Sequence, residues 1–115
     1  MVKFPGMVDY AGYTLEDAKG CVGKGWHKLL EVVWEALDPK RHKVIQVKEK
    51  WGCLRIYVDG TNMYFEGYLD GICAVSRFLC EECGEAGELR SRDWIRTLCN
   101  ACNQRSDNAD PRTGS

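Results

Sequence analysis

The sequence predicts a small α+β domain that ends in a zinc-ribbon-like module. Three observations carry that expectation. Apolar residues recur at helical spacing in two stretches, residues 26–37 and 62–79. Two β-branched runs joined by a short turn lie between them. Directly after the second stretch come Cys80-x2-Cys83 and Cys99-x2-Cys102, separated by fifteen residues. The order helix, strand, strand, helix, metal hairpin places the chain in the α+β class.

The first helical stretch has Trp26, Leu29, Leu30, Val33, Trp34 and Leu37 on one face, with Lys28, Glu31 and Glu35 on the other. Asp38-Pro39 stops it. His27 and Glu31 share a face and are read as a solvent-facing polar pair. Upstream, Thr14-Leu15-Glu16-Asp17 has the form of a capping box, so a short turn of helix is expected from Leu15 to about Lys19. Gly20, Gly23 and Gly25 break the chain after it. They lack the spacing and the Ser/Thr of a phosphate-binding loop, and no strand precedes them, so they are read as a loop without a ligand. Residues 1–13, with Phe4, Met7, Val8, Tyr10 and Tyr13, are expected to form a surface arm.

The hairpin runs Lys43–Glu49 and Cys53–Val58. In the second strand Leu54, Ile56 and Val58 alternate with Arg55 and Tyr57. Gly52, in the Lys50-Trp51-Gly52 connection, suits the left-handed position of a bulged turn. In the second helix Phe65, Leu69, Ile72, Val75 and Leu79 repeat at helical spacing. Gly67 and Gly71 weaken that helix or let a neighbouring element approach it closely.

The cysteines carry the chemistry. Two cysteines three apart in a tight turn can point at one metal ion, and two such turns close a tetrahedron. Gly84, directly after Cys83, supplies the positive φ that a knuckle favours. Glu88-Leu89-Arg90 and Trp94–Leu98 read as two short strands joined by Ser91-Arg92-Asp93. Four thiolates also suit iron, and two disulfides could use the same residues. One zinc ion is the expectation, because nothing nearby indicates electron transfer. Cys80, Cys83, Cys99 and Cys102 fill every position of a tetrahedron and leave none for substrate, so the zinc is read as structural.

One domain is expected over residues 1–102, with the ribbon at 80–102. Residues 103–115 have no large apolar side chain and are expected to be a disordered tail. Of seven cysteines, Cys21, Cys53 and Cys73 remain outside the metal set and are expected to be free, buried thiols. That usage fits a reducing, cytoplasmic setting. No apolar run has membrane length, and the opening residues lack the apolar core of a signal peptide. The formal net charge is −1. One divalent ion in place of four thiol protons lowers it to about −3, which argues against a general nucleic-acid binder.

Two surfaces stand out. From Pro39 to Val58, Lys40, Arg41, Lys43, Lys48, Lys50 and Arg55 face Glu49 alone, a local charge of +5, and Trp51 lies near the hairpin tip. Such a tip could anchor on an acidic protein surface or stack a base. In the ribbon, Arg90, Arg92, Trp94 and Arg96 share a face if residues 90–96 extend as one strand. Glu81, Glu82, Glu85 and Glu88 surround the first knuckle, and this asymmetry suits a specific protein partner. His27 and His42 show no nucleophilic pattern, so no catalytic residue is assigned.

The chain resembles a group of small, mostly uncharacterised proteins encoded by phages and prophages. The carrying residues are Gly25-Trp26, Gln46-Val47-Lys48-Glu49-Lys50-Trp51-Gly52 with Leu54-Arg55 and Tyr57, Cys80-x2-Cys83-Gly84 with Gly87 and Leu89-Arg90, then Trp94, Arg96-Thr97-Leu98-Cys99 and Cys102. The last metal position in similar proteins often looks like histidine; here it is Cys102. The resemblance implies a zinc-binding phage accessory protein and no reaction. Small proteins of this kind often act by binding host machinery, defence systems included. The expectation is therefore a non-enzymatic protein that binds a host protein or complex, with nucleic acid as the alternative partner.

Overall fold

The computed structural model describes residues 12–91 and 95–109 of the 115-residue chain. It is an α+β domain with two small antiparallel hairpins. The capping box forms: Thr14 Oγ1 accepts from the Asp17 backbone N–H, and the Asp17 carboxylate accepts from the Thr14 N–H. Helix α1, Leu15–Lys19, follows. A 3₁₀ turn over Lys24–Trp26 leads into α2, His27–Ala36. His27 and Glu31 do not pair with each other. The His27 ring lies 2.9 Å from the Lys19 carbonyl and Glu31 forms an ion pair with Lys19, so both tie α2 to α1.

Strands β1, Lys43–Lys50, and β2, Cys53–Asp59, form the main hairpin. Val44 pairs with Val58 and Gln46 with Tyr57, which leaves Ile45 as an extra residue in β1. This bulge shifts the phase of the strand so that Val44 and Val47 both face the core. The expected bulge at the tip is absent. Trp51 (φ 57°) and Gly52 (φ 79°) are both left-handed and form a two-residue turn of the I′ pattern, whose twist matches the strands.

Helix α3, Met63–Ser76, starts at an Asn62 cap whose side chain accepts from Phe65 N–H, and it ends three residues before the predicted Leu79. It lies along β2. Ser76 Oγ accepts the Leu54 N–H at 2.9 Å and donates to the Cys73 carbonyl at 2.6 Å. A helix thereby caps a strand edge that would otherwise invite pairing. The core lies between α2 (Trp26, Leu29, Leu30, Val33), the hairpin (Val44, Val47, Leu54, Val58) and α3 (Leu69, Ile72). Gly67 and Gly71 are not sites of close approach within the chain, because a side chain at either would meet open space.

Strands β3, Glu88–Arg90, and β4, Arg96–Leu98, form the second hairpin, with Leu89 opposite Thr97. Helix α4, Asn100–Ala109, follows. It runs through residues predicted to be tail; residues 110–115 lie outside the described region, as do Phe4, Met7, Val8 and Tyr10 of the expected arm. The polar composition gave no helical signal, but the second knuckle starts the helix. The Asn103 N–H donates to the Cys99 carbonyl, and Arg90 Nη2 donates to Asn100 Oδ1 at 2.7 Å. With the first turn fixed, elongation costs little. No helix among the described residues is long and apolar enough to cross a membrane.

Candidate metal centre

Cys80 and Cys83 sit on the turn after α3, Cys99 sits between β4 and α4, and Cys102 sits in the first turn of α4. The first turn is closed by Gly84 N–H to the Cys80 carbonyl at 2.8 Å and Cys80 N–H to the Glu85 carbonyl at 2.7 Å. Gly84 takes φ 84°, as the knuckle requires. In the second turn the Cys102 N–H points at Cys99 Sγ, 3.4 Å away. The four sulfurs lie within 4.8 Å of one another, and Cys83 and Cys99 are 3.7 Å apart. A tetrahedron with metal–sulfur bonds of about 2.3 Å has edges of about 3.8 Å, so the four thiols fit one metal ion. A disulfide needs about 2.05 Å, and all seven cysteines are free thiols.

Cys80 and Cys102 are fully buried together with Leu98, while Cys83 is exposed. Burial pushes the Cys102 thiol up to about 12, and contacts with the other three thiols push the same way. Burial also raises Cys80, but backbone N–H groups of Cys99, Cys83 and Glu82 outweigh it and bring that thiol down to about 7. Cys80 is thus the readier of the two to give up its proton to a metal. Arg105 Nη2 lies 2.8 Å from Cys102 Sγ and offsets thiolate charge there. Sequence reasoning missed Arg105, because it placed the residue in a tail. The signal available was its position three residues after a ligand, on the face a helix would turn toward the sulfur.

The glycine-rich loop proves to be the seat of the first knuckle. The Gly25 N–H donates to the Glu81 carbonyl at 3.0 Å. A methyl group at Gly25 would lie 2.0 Å from the Cys80 carbonyl oxygen, and one at Gly23 would lie 2.1 Å from that of Glu81. Beside them the fully buried Trp26 donates from Nε1 to the Leu79 carbonyl at 2.9 Å. The 3₁₀ turn that leads into α2 therefore holds the chain as it enters the first cysteine turn.

The hairpin and the ribbon, read separately in the sequence, meet. Thr97 Oγ1 donates to the Gly52 carbonyl at 2.6 Å, and Gly52 packs against Leu89 and Ile95 of the ribbon. Trp51 stands at this junction, 63% exposed. Lys50 is exposed beside it. Lys48 and Arg55 are cross-strand neighbours, and Lys48 lies over the Tyr57 ring, 5.7 Å from its centroid. Arg55 Nε is buried and has no hydrogen-bond partner among the described residues.

The ribbon arginines are drawn inward. Arg96 donates to Glu81 and Glu82 at 3.0 and 2.9 Å, and Glu81 also accepts the Thr97 N–H. Burial pushes the Glu81 carboxyl above its ordinary range, with Thr97 N–H and Arg96 pulling the other way. Arg90 binds the Leu98 carbonyl, Asn100 and Glu88. Arg92 and Trp94 lie outside the described residues. Cys21, expected to be buried, is exposed, because it lies in the turn after α1 and its thiol bonds back to the Asp17 carbonyl of that helix instead of entering the core. Cys53 is buried and Cys73 half-buried, next to each other and to Arg77.

No protein-family model matches the chain, and no match to it is found among curated proteins or solved structures.

Proposed function

We propose that this chain is a non-enzymatic, zinc-binding accessory protein of phage or prophage origin. Its zinc is structural, and its hairpin tip docks on a host protein or complex, as an inhibitor of host defence. The convergence of four thiols supports the zinc: they complete a tetrahedron with soft ligands and leave no open position for a reacting group. The phage setting rests on the resemblance described above.

The docking surface rests on one observation, Trp51. A bulky L-residue in the left-handed region costs roughly 1–2 kcal/mol, yet this one stands there and keeps most of its surface in water. The turn type has better formers, above all Asn-Gly. A strained, exposed indole seated on a metal-braced hairpin suits an anchor for a partner pocket. Lys48, Lys50 and Arg55 around it favour an acidic rim on the partner. Arg90 and Arg96 are engaged within the ribbon, which weakens the case for a nucleic-acid groove there.

Trp51→Asn separates function from folding. The substitution relieves the turn and gives up little burial, so the variant is expected to be about 1 kcal/mol more stable. Its capture of a host component from nuclease-treated lysate should fall at least tenfold. A variant that is less stable, or that keeps full capture, contradicts the reading. Retention of oligonucleotide without protein, lost steeply with salt, would favour nucleic acid as the partner.

A further inference from the structure

The outward face of α3 has no partner among the described residues. Tyr64, Gly67, Gly71, Ala74 and Val75 recur at i, i+3, i+7, i+10 and i+11, a single stripe opposite the core residues Leu69, Ile72 and Ser76. Phe78 continues its line in the turn just past the helix, where its N–H donates to the Val75 carbonyl at 2.9 Å. Tyr64 is 83% exposed and Phe78 70%, with Met63 beside the stripe at 78%. Between the two aromatic ends lie two glycines with open space over them. Large exposed apolar groups at both ends of a bare helix centre are unusual on a monomer surface.

We propose that this face is the interface of a symmetric, antiparallel dimer of the chain, with the two-fold axis at Gly71. This inference is independent of the hairpin-docking reading. The stripe is self-complementary about that residue. Tyr64 lies seven positions before Gly71 and Phe78 seven after it, in the turn that follows the helix, so antiparallel pairing brings Tyr64 towards the partner's Phe78. Gly67 and Val75 are each four positions away, so the bare position of one copy receives the side chain of the other. An isologous contact requires this self-matching.

Charge fixes the direction. Glu66 and Asp70 of α3, and Arg77 at its C-cap, lie along one flank of the stripe, and all three are exposed. Arg77 donates from Nε to Cys53 Sγ at 2.8 Å, which leaves its two Nη groups to face outward. Antiparallel pairing brings like flanks together, so the partner's Arg77 comes level with Glu66 and within reach of Asp70. Parallel pairing would set that flank against the Tyr68 side and leave the charges unmatched. The size is adequate. With roughly 150–250 Å² for each aromatic ring, the exposed apolar groups give on the order of 500 Å² per copy. The pair then buries about 1,000 Å², the lower end for a specific interface.

Sedimentation velocity of the full, zinc-loaded chain tests this. The 13.1-kDa chain should exchange with a species of twice that mass, with a Kd on the order of micromolar. Gly71→Lys fits the open space within its own chain but sets two like charges on the axis. It should be monomeric throughout, with helix content and thermal midpoint unchanged or higher. Asp70→Arg should weaken the dimer, and adding Arg77→Glu should restore it. A wild-type chain that stays monomeric at sub-millimolar concentration overturns the proposal, as does a dimer that Gly71→Lys leaves intact. Loss of a captured host protein in Gly71→Lys, with a monomeric wild type, would assign the face to that protein instead.

Discussion

Cys83→Ser should lose the metal and, with it, the order of residues 79–105. Cys83 is the exposed thiol of the four, so its replacement removes almost no packing and isolates the contribution of a bound metal. A structural zinc supplies roughly 10–16 kcal/mol of apparent folding free energy in zinc-finger peptides. Apart from its contacts with the 3₁₀ turn and the hairpin turn, the ribbon has little packing of its own. Its own buried cluster is Cys80, Leu98 and Cys102, with Cys99 packed against it. The core of α2, the hairpin and α3 is a separate cluster and should persist. Hydrogen exchange resolves the two: amides of β3, β4 and the start of α4 should lose protection, while those of β1 and β2 keep most of theirs. Cys83→His offers a fourth ligand at an exposed position and should recover much of the protection. Full protection in Cys83→Ser would mean that the ribbon folds without a metal.

Gly25→Ala should be nearly as damaging, although it adds one methyl group far from the metal in sequence. That methyl would sit 2.0 Å from the Cys80 carbonyl oxygen and 2.6 Å from the Gly84 nitrogen. Neither atom is free to move, because both belong to the hydrogen bond that closes the first knuckle. The 3₁₀ turn must therefore separate from the knuckle, breaking Gly25 N–H to Glu81 and pulling the Trp26 indole from Leu79. A loss of about 3–5 kcal/mol is expected, at the upper end for single substitutions. Gly20→Ala is the control. Gly20 has φ −75°, and its nearest contact would be an ordinary 3.4 Å, so the change should be neutral or slightly stabilising. Chemical denaturation of both variants measures the contrast. Equal stabilities would show that the loop does not seat the knuckle.

What the sequence disclosed was local. The apolar stripe of α2, the alternation in β2, the capping box at Thr14 and the two C-x2-C turns each lie within one or two turns of chain, where period and spacing identify them. What it concealed depends on residues distant in sequence. Gly23 and Gly25 look like a loop because the carbonyls they meet come more than fifty residues later. Arg96 looks like a surface cation because Glu81 and Glu82 approach it only once the ribbon closes. Helix α4 has no apolar period, since its start is set by the knuckle and by Arg90. The Trp51-Gly52 turn misled for another reason. Tryptophan is a poor residue for the left-handed region, so propensity pointed to a bulge with glycine alone at positive φ. The phase shift at Ile45 was equally hidden, because β-branched runs do not announce which residue is the extra one.

Cys80, Cys83, Cys99 and Cys102 are expected to hold one zinc ion together. Native mass spectrometry of freshly prepared protein, beside the same protein after acid denaturation, tests it most directly. One zinc per chain is expected in the native spectrum and none after acid. The deconvoluted mass should rise by one zinc less two protons, because at a given charge state the divalent ion takes the place of two protons. A native chain without metal, or one whose mass shows two disulfides in place of four thiols, would contradict it.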